Sequence, residues 1–221
     1  MKDTRLKIDL HVHTCYSEDA STTLKEVIDY AEKKGLNGVA ITDHNTLEGA
    51  LKLAKESRLL VIRGLEVETR QGHVLALNIA SPIPSKLNLV ETVQRIHENG
   101  GKAIIAHPYA AFKGRTKHEA ALNSKLDAVE VVNAAAFPFF TATRSSKRLA
   151  EQLNLPQTGG SDAHHGNEIG RAYTLVEADP SLDSIIEAIK KGKVTPYGRP
   201  ISWSERIERL AFSLTKLRRR L

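Results

Sequence analysis

Histidines and carboxylates recur along this chain in short fragments, most of them where an apolar, strand-like run ends: Asp9-Leu10-His11-Val12-His13, Thr42-Asp43-His44, Gly64-Leu65-Glu66, Gln71-Gly72-His73, Ala106-His107-Pro108 and Gly160-Ser161-Asp162-Ala163-His164. Imidazole and carboxylate are ligands of divalent transition metals, and burying them together is costly unless cations balance them. Separate strands delivering such groups to one end describe a metal site. The chemistry such a site performs is activation of water for hydrolysis.

Each fragment taken singly has a plainer reading. Two residues apart on a strand, His11 and His13 point to the same face and can share an ion, yet a lone H-x-H pair is also ordinary packing or surface. Asp162-Ala163-His164 repeats that spacing with a carboxylate first, and Gly159 to Asp162 is also good turn chemistry; the glycine pair would let the backbone bend so that the ligands face inward. His44 and Glu66 read as polar strand ends, and His107 as a satisfied structural histidine. Their coincidence at one end is what favours a shared site.

These residues need a scaffold, and the chain alternates short apolar runs with amphipathic stretches. Leu6 to Leu10 alternates as a strand; Leu24 to Lys34 then puts Leu24, Val27, Ile28 and Ala31 on one helical face, with Thr23 and Glu26 as a capping pair. The unit recurs as strand Gly38 to Thr42 with helix Leu47 to Glu56, and as helix Leu89 to Glu98 before strand Lys102 to Ala106. Leu59 to Gly64, His73 to Ile79, Asp127 to Val132 and Gln157 to Gly160 read as further strands, Arg144 to Leu153 and Leu182 to Lys191 as further helices. About seven βα-like units predict a parallel sheet covered by helices, with the motifs on its carboxyl rim. A polar stretch with Lys113, Arg115, Lys117 and His118 is expected to overhang that rim.

The 221 residues, 41% hydrophobic and 26% charged, suffice for one sizeable core. A single cysteine, Cys15, excludes an internal disulfide framework and agrees with a reducing compartment. No apolar run approaches about 18 residues and the first residues are polar, so a cytoplasmic location without a membrane span is expected. The net charge of +6 lies entirely between residues 193 and 221, where eight Lys and Arg face two Glu. Residues 1–198 are read as the catalytic unit and 199–221 as a basic amphipathic helix. In that helix Trp203, Ile207, Leu210, Leu214, Leu217 and Leu221 recur at alternating steps of four and three, a stripe suited to packing on the main domain. A dimer contact, a membrane surface or nucleic acid are the other uses of such a segment.

In this order the fragments resemble the polymerase and histidinol phosphatase (PHP) family. D-x-H-x-H-T-x-x-S stands as Asp9 to Ser17, T-D-H as Thr42 to His44, G-x-E as Gly64 to Glu66, A-H-P as Ala106 to Pro108 and G-G-S-D-x-H as Gly159 to His164. The resemblance spans about residues 5 to 180. It implies an α/β fold, a distorted seven-stranded (β/α)7 TIM-like barrel, and two or three divalent ions serving phosphate-ester hydrolysis. Carried over by position, His11, His13, Glu66 and Asp162 hold one ion; Glu66 bridges to a second completed by His73 and His107; Asp19, His44 and His164 hold a third. Where the simplest pattern has Asp directly after the motif's Ser, this chain has Ser17-Glu18-Asp19; Asp19 keeps the spacing to the helix cap at Thr23 and is preferred over Glu18.

Mixed nitrogen and oxygen ligation suits manganese, zinc or iron. Asp162 and His164 are the candidates to accept or return a proton, with Glu66 at the centre, and Asp43 is expected to orient His44. Arg144 and Arg171 are candidate phosphate clamps. A phosphorylated small molecule or nucleotide is the expected substrate, with the basic tail offering a route to nucleic acid. Two rivals stand beside this reading: a metal-dependent amidohydrolase on a similar barrel, and a non-catalytic RNA-binding barrel.

Overall fold

The computed structural model of the chain describes residues 5–111 and 118–220, without the side chains of 118 and 216–220. Among these residues nine strands form one sheet in the order β7-β6-β5-β4-β3-β2-β1-β8-β9: β1 Arg5–Val12, β2 Gly38–Ile41, β3 Leu60–Thr69, β4 Gly72–Leu77, β5 Lys102–Ala106, β6 Ala128–Asn133, β7 Gln157–Gly160, β8 Ala172–Glu177 and β9 Val194–Gly198. The sheet curls into a nearly closed barrel. Past β7 the chain bonds back to β1, with Asp162 N donating to His11 O at 2.8 Å and His13 N to Ala163 O at 2.9 Å. Thr174 of β8 spans to β7, its hydroxyl donating to Gly159 O and accepting from Gly159 N.

The α/β barrel class matches the expectation; the strand count, nine against seven, does not. Nor is the sheet all parallel. β1, β2 and β3 run together, as do β5, β6 and β7, but β4 is antiparallel to both neighbours and β8 to β1 and β9. The reason lies at Gly72, whose φ of +114° closes a hairpin that a side chain would resist. β3 therefore runs on past Gly64 to Thr69 instead of ending before Glu66. Strands β8 and β9 carry no motif and their pairing came from tertiary closure.

Helices α1 Leu24–Lys33, α2 Glu48–Glu56, α3 Leu89–Glu98, α4 His118–Leu122, α5 Phe139–Leu153 and α6 Leu182–Lys190 pack around the barrel. In α1, Glu26 N donates to Thr23 Oγ1 at 3.2 Å and Thr23 N to Glu26 Oε2 at 2.8 Å, a capping box worth about 1 kcal/mol. Its buried Val27 and Ala31 join Val12, Val39, Ile41 and α2's Leu53 in an outer cluster. Inside, Ile8, Leu10, Ile62, Leu75, Leu77 and Ile104 meet Ile185 and Ile189 of α6, which closes the barrel floor. A register shift in β1 between Asp9 and Val12 breaks strict alternation, so Leu10 faces this apolar interior and His11 still faces inward above it.

The last helix, α7 Trp203–Arg220, reverses the expected amphipathic logic. It meets the barrel through polar residues: Glu205 pairs with Arg171, Arg206 donates to the carbonyls of Ala135 and Ala136, and Arg209 pairs with Glu168. Trp203, Ile207, Leu210 and Leu214 are instead 53–71% exposed, and of these Trp203 meets the barrel edge-on at Phe137. Leu217 and Leu221 lie outside the described side chains, as do Lys113, Arg115, Lys117 and His118 of the expected overhanging stretch.

Candidate metal centre

The upper half of the barrel interior is lined by ionisable groups supplied strand by strand. His11 comes from β1 and His13 from just beyond it, His44 follows β2, Glu66 lies within β3, His107 follows β5, and Asp162 and His164 follow β7. His73 begins β4. Because that strand is antiparallel, its start is at the same rim as the ends of its neighbours, opposite Ala106 of β5.

Glu66 is the centre of the cluster. Its Oε1 lies 2.8 Å from His73 Nδ1 and 2.9 Å from His107 Nε2; its Oε2 lies 3.2 Å from His11 Nε2, 3.1 Å from His13 Nε2 and 3.5 Å from His44 Nε2. Asp162 Oδ1 is 3.7 Å from His11 Nε2 and 3.6 Å from His13 Nε2, and Asp19 Oδ2 is 3.1 Å from His164 Nε2 and 3.6 Å from His44 Nε2. All nine residues expected as ligands thus come together. The closest groups of three are His11, His13 and Glu66; His11, His107 and Asp162; Glu66, His73 and His107; and His13, His44 and His164, with Asp19 beside the last through His164 and His44.

The donor geometry fits metal ions. His11 Nε2, His13 Nε2 and Glu66 Oε2 form a triangle with sides of 3.1, 3.1 and 3.2 Å. Two imidazole nitrogens and a carboxylate oxygen drawn this close are the donor set and spacing that a divalent transition metal would take. Protonation tells the same story. Burial disfavours charge on His11, but Glu130, Asp162 and Glu66 outweigh it and raise its pKa well above the usual value. His44 is likewise raised, against burial, to about 9 by Asp19 and Glu66. Burial, reinforced by His164, pulls His13 down to about 3. Glu66 and Asp19 are held below the usual carboxylate range despite burial, Glu66 by His11 and His107 and Asp19 by His164 and His44. The cluster draws in positive charge at His11 and His44, the role a divalent cation fills when it displaces those protons.

Behind the ligands stands a layer that the motifs did not announce. Glu130 of β6, 1% exposed, accepts from His11 Nδ1 at 3.0 Å and from His107 N at 2.9 Å, leaving His11 Nε2 turned to Glu66. The signal was present: Glu130 is the one carboxylate in the apolar run Ala128–Asn133. Asn133 links Glu130 to Asp162, at 2.9 and 3.1 Å. Asp43 touches His44 only indirectly. It accepts from Thr14 N, Thr14 Oγ1 and Ser17 Oγ, and Ser17 in turn accepts from His44 N at 2.9 Å and lies 3.3 Å from His13 Nδ1.

Gly160 serves by close approach more than by bending. A Cβ there would come within 2.4 Å of His11 Cβ and 2.8 Å of Glu130 Oε1. The left-handed residue is Asp162 itself, at φ +54°. The two arginines expected to clamp phosphate make no contact with the cluster among the described residues. Arg171 is committed to Glu205 at 2.5 Å, and Arg144 is exposed on α5 with no hydrogen bond or ion pair to the cluster among the described residues.

A barrel carrying a histidine and carboxylate centre on one rim defines a class of metal-dependent hydrolase folds. Comparison with known proteins narrows it. A PHP-associated family model matches residues 141–194. An uncharacterized protein of Methanocaldococcus jannaschii is 37% identical over 142 residues, covering 58% of this chain and 82% of its own length. A phosphoribosyl 1,2-cyclic phosphate 1,2-diphosphodiesterase of Eggerthella lenta is 33% identical over 101 residues, 41% of this chain and 38% of that enzyme. In fold, a two-domain protein of Bacteroides vulgatus containing a predicted PHP-like metal-dependent phosphoesterase matches with a TM-score of 0.71 at 22% identity, over 89% of this chain and 66% of that one. The chain belongs to the PHP family. No helix among the described residues is long and apolar enough to cross a membrane.

Proposed function

We propose that this chain hydrolyses a phosphate ester, a phosphomonoester or the end of a nucleotide or nucleic acid, using divalent ions held on the barrel rim. The observation that carries the reading is Glu66, one buried carboxylate within 3.5 Å of five histidine nitrogens. No structural demand of a barrel assembles that set, whereas a multinuclear metal site does.

His11, His13, Glu66 and Asp162 would hold one ion; Glu66, His73 and His107 a second; Asp19, His44 and His164 a third. When bound, such ions supply an activated water and neutralise charge on the phosphoryl group. The protein's own side chains do the rest. Glu130 and Ser17 hold the rings of His11 and His13 so that their Nε2 atoms face Glu66. Side-chain exposure is 0% at His11, His107 and Asp162 but 23% at His73, 26% at His44 and 52% at Asp19, so substrate approaches from that side. Where the third ion is absent, His164, 10% exposed between Asp19 and Asp162, would return a proton to the departing alkoxide.

The test is a panel of phosphomonoesters, dinucleotides and single-stranded oligonucleotides assayed with added manganese, beside a panel of amides. Manganese-dependent release of phosphate or nucleotide is expected. Amide cleavage without ester cleavage would move the chain to the amidohydrolase reading, and RNA retention by a protein that binds no metal would move it to a non-catalytic one.

A further inference from the structure

The helix beyond the barrel reaches the metal loop through one side chain. Arg209 of α7 donates from Nη2 to the carbonyl of Asp162 at 2.6 Å, and grips Glu168 through Nε and Nη2 at 2.5 and 2.6 Å. Glu168 is fully buried, and its Oε2 also accepts His164 N at 2.7 Å and His165 N at 3.0 Å. The carbonyl that Arg209 holds is the same one that lies 3.0 Å from His164 Nδ1. One guanidinium therefore anchors both ends of the Asp162–His164 segment. That segment needs anchoring, because Asp162 sits at φ +54° without the freedom of glycine.

We infer that Arg209 is a positioning residue for the Asp162–His164 segment and, through it, for the subsite formed by Asp19, His44 and His164. The inference rests on the metal-centre reading above and concerns only how one part of it is held. Removing the guanidinium leaves the buried Glu168 without its cation and frees the Asp162 carbonyl, and His164 Nε2 loses its fixed aim toward Asp19. The Glu66, His73 and His107 subsite stands on the ladders of β3, β4 and β5 and has no such dependence. A bidentate grip on a carboxylate with a third bond to a carbonyl also suits arginine and not lysine, whose single ammonium cannot span both.

The experiment is manganese binding by the full chain, followed by equilibrium dialysis and by electron paramagnetic resonance of free ion, in wild type, Arg209→Met, Arg209→Lys and Arg206→Met. Arg206 docks the same helix on Ala135 and Ala136 and serves as the control. Arg209→Met is expected to weaken by about 10–100-fold the manganese binding that uses Asp162 and His164 and to leave the Glu66, His73 and His107 subsite at wild-type affinity, in the range seen when a ligand's supporting partner is lost. Arg209→Lys should fall between, and Arg206→Met should match wild type. If Arg209→Met fails to fold by circular dichroism, Arg209→Lys carries the test with a smaller loss confined to the same ligands. Wild-type affinity at every site in the Arg209 variants, or equal loss in Arg206→Met, overturns the inference while the metal centre stands. A wild-type protein that takes up no manganese overturns both.

Discussion

The barrel interior has two storeys made by the same strands and held by different physics. In the lower one Ile8, Ile62, Leu77 and Ile104 close on Ile185 and Ile189, all fully or almost fully buried. That storey is complete in itself, since apolar burial stabilises it at roughly 25 cal/mol per Å² with no partner required. A few residues further along, the strands carry His11, Glu66, His107 and Glu130, just as buried but ionisable. The upper storey is satisfied only by cations, protons in their absence. The contrast teaches that burial here does not mean core: position along the strand decides whether a side chain stabilises the fold or waits for an ion.

Substitutions that separate the storeys break the comparison if they behave alike. The largest effect should come from Glu66→Gln: catalysed hydrolysis in manganese falls about 10³-fold or more, the several kcal/mol a metal site supplies. Urea unfolding of the same variant in chelator should show stability lowered at neutral pH, because the carboxylate that, despite burial, His11 and His107 hold below the usual range is lost and His11 is left short of a partner. Next, Ile62→Ala should cost about 2–5 kcal/mol in urea titrations whether or not metal is present. Chelation should lower the melting temperature of wild type, by an amount equivalent to about 2.7 kcal/mol when free metal had stood at 100 times its Kd. Glu130→Gln should weaken metal binding or turnover by about 10–100-fold, read as a right-shifted manganese activation curve. Smallest of all, Leu210→Ser on the outer face of α7 should alter stability by no more than about 0.5 kcal/mol, since Leu210 is 62% exposed.

Much of this was legible before the fold was known. Thr23 and Glu26 announced α1, and the ends of β1, β2, β5 and β7 were marked by the histidines and carboxylates they carry, because strand-end ligands interrupt apolar periodicity. The reading failed where tertiary contacts decide. The apolar period ends a strand at Gly64 and leaves Glu66 beyond it, but the hairpin through Gly72 extends β3 around it, and hydrophobic period alone cannot announce a pairing partner. Glu130 stayed hidden as one charge among valines, since only the fold brings it to His11. The stripe of Trp203, Ile207, Leu210 and Leu214 suggested which face of α7 would pack, yet buried ion pairs from Glu205 and Arg209 dock the other one. Amphipathicity locates a helix face; it does not say what lies against it.

The most direct measurement of the central claim is the metal content of the full chain after loading with manganese and exhaustive dialysis, by elemental mass spectrometry. Two or more ions per chain are expected in wild type, dropping to one or fewer when Glu66 is replaced by Gln. A wild-type chain that retains no ion, or a Glu66→Gln variant that retains as many as wild type, would contradict the account.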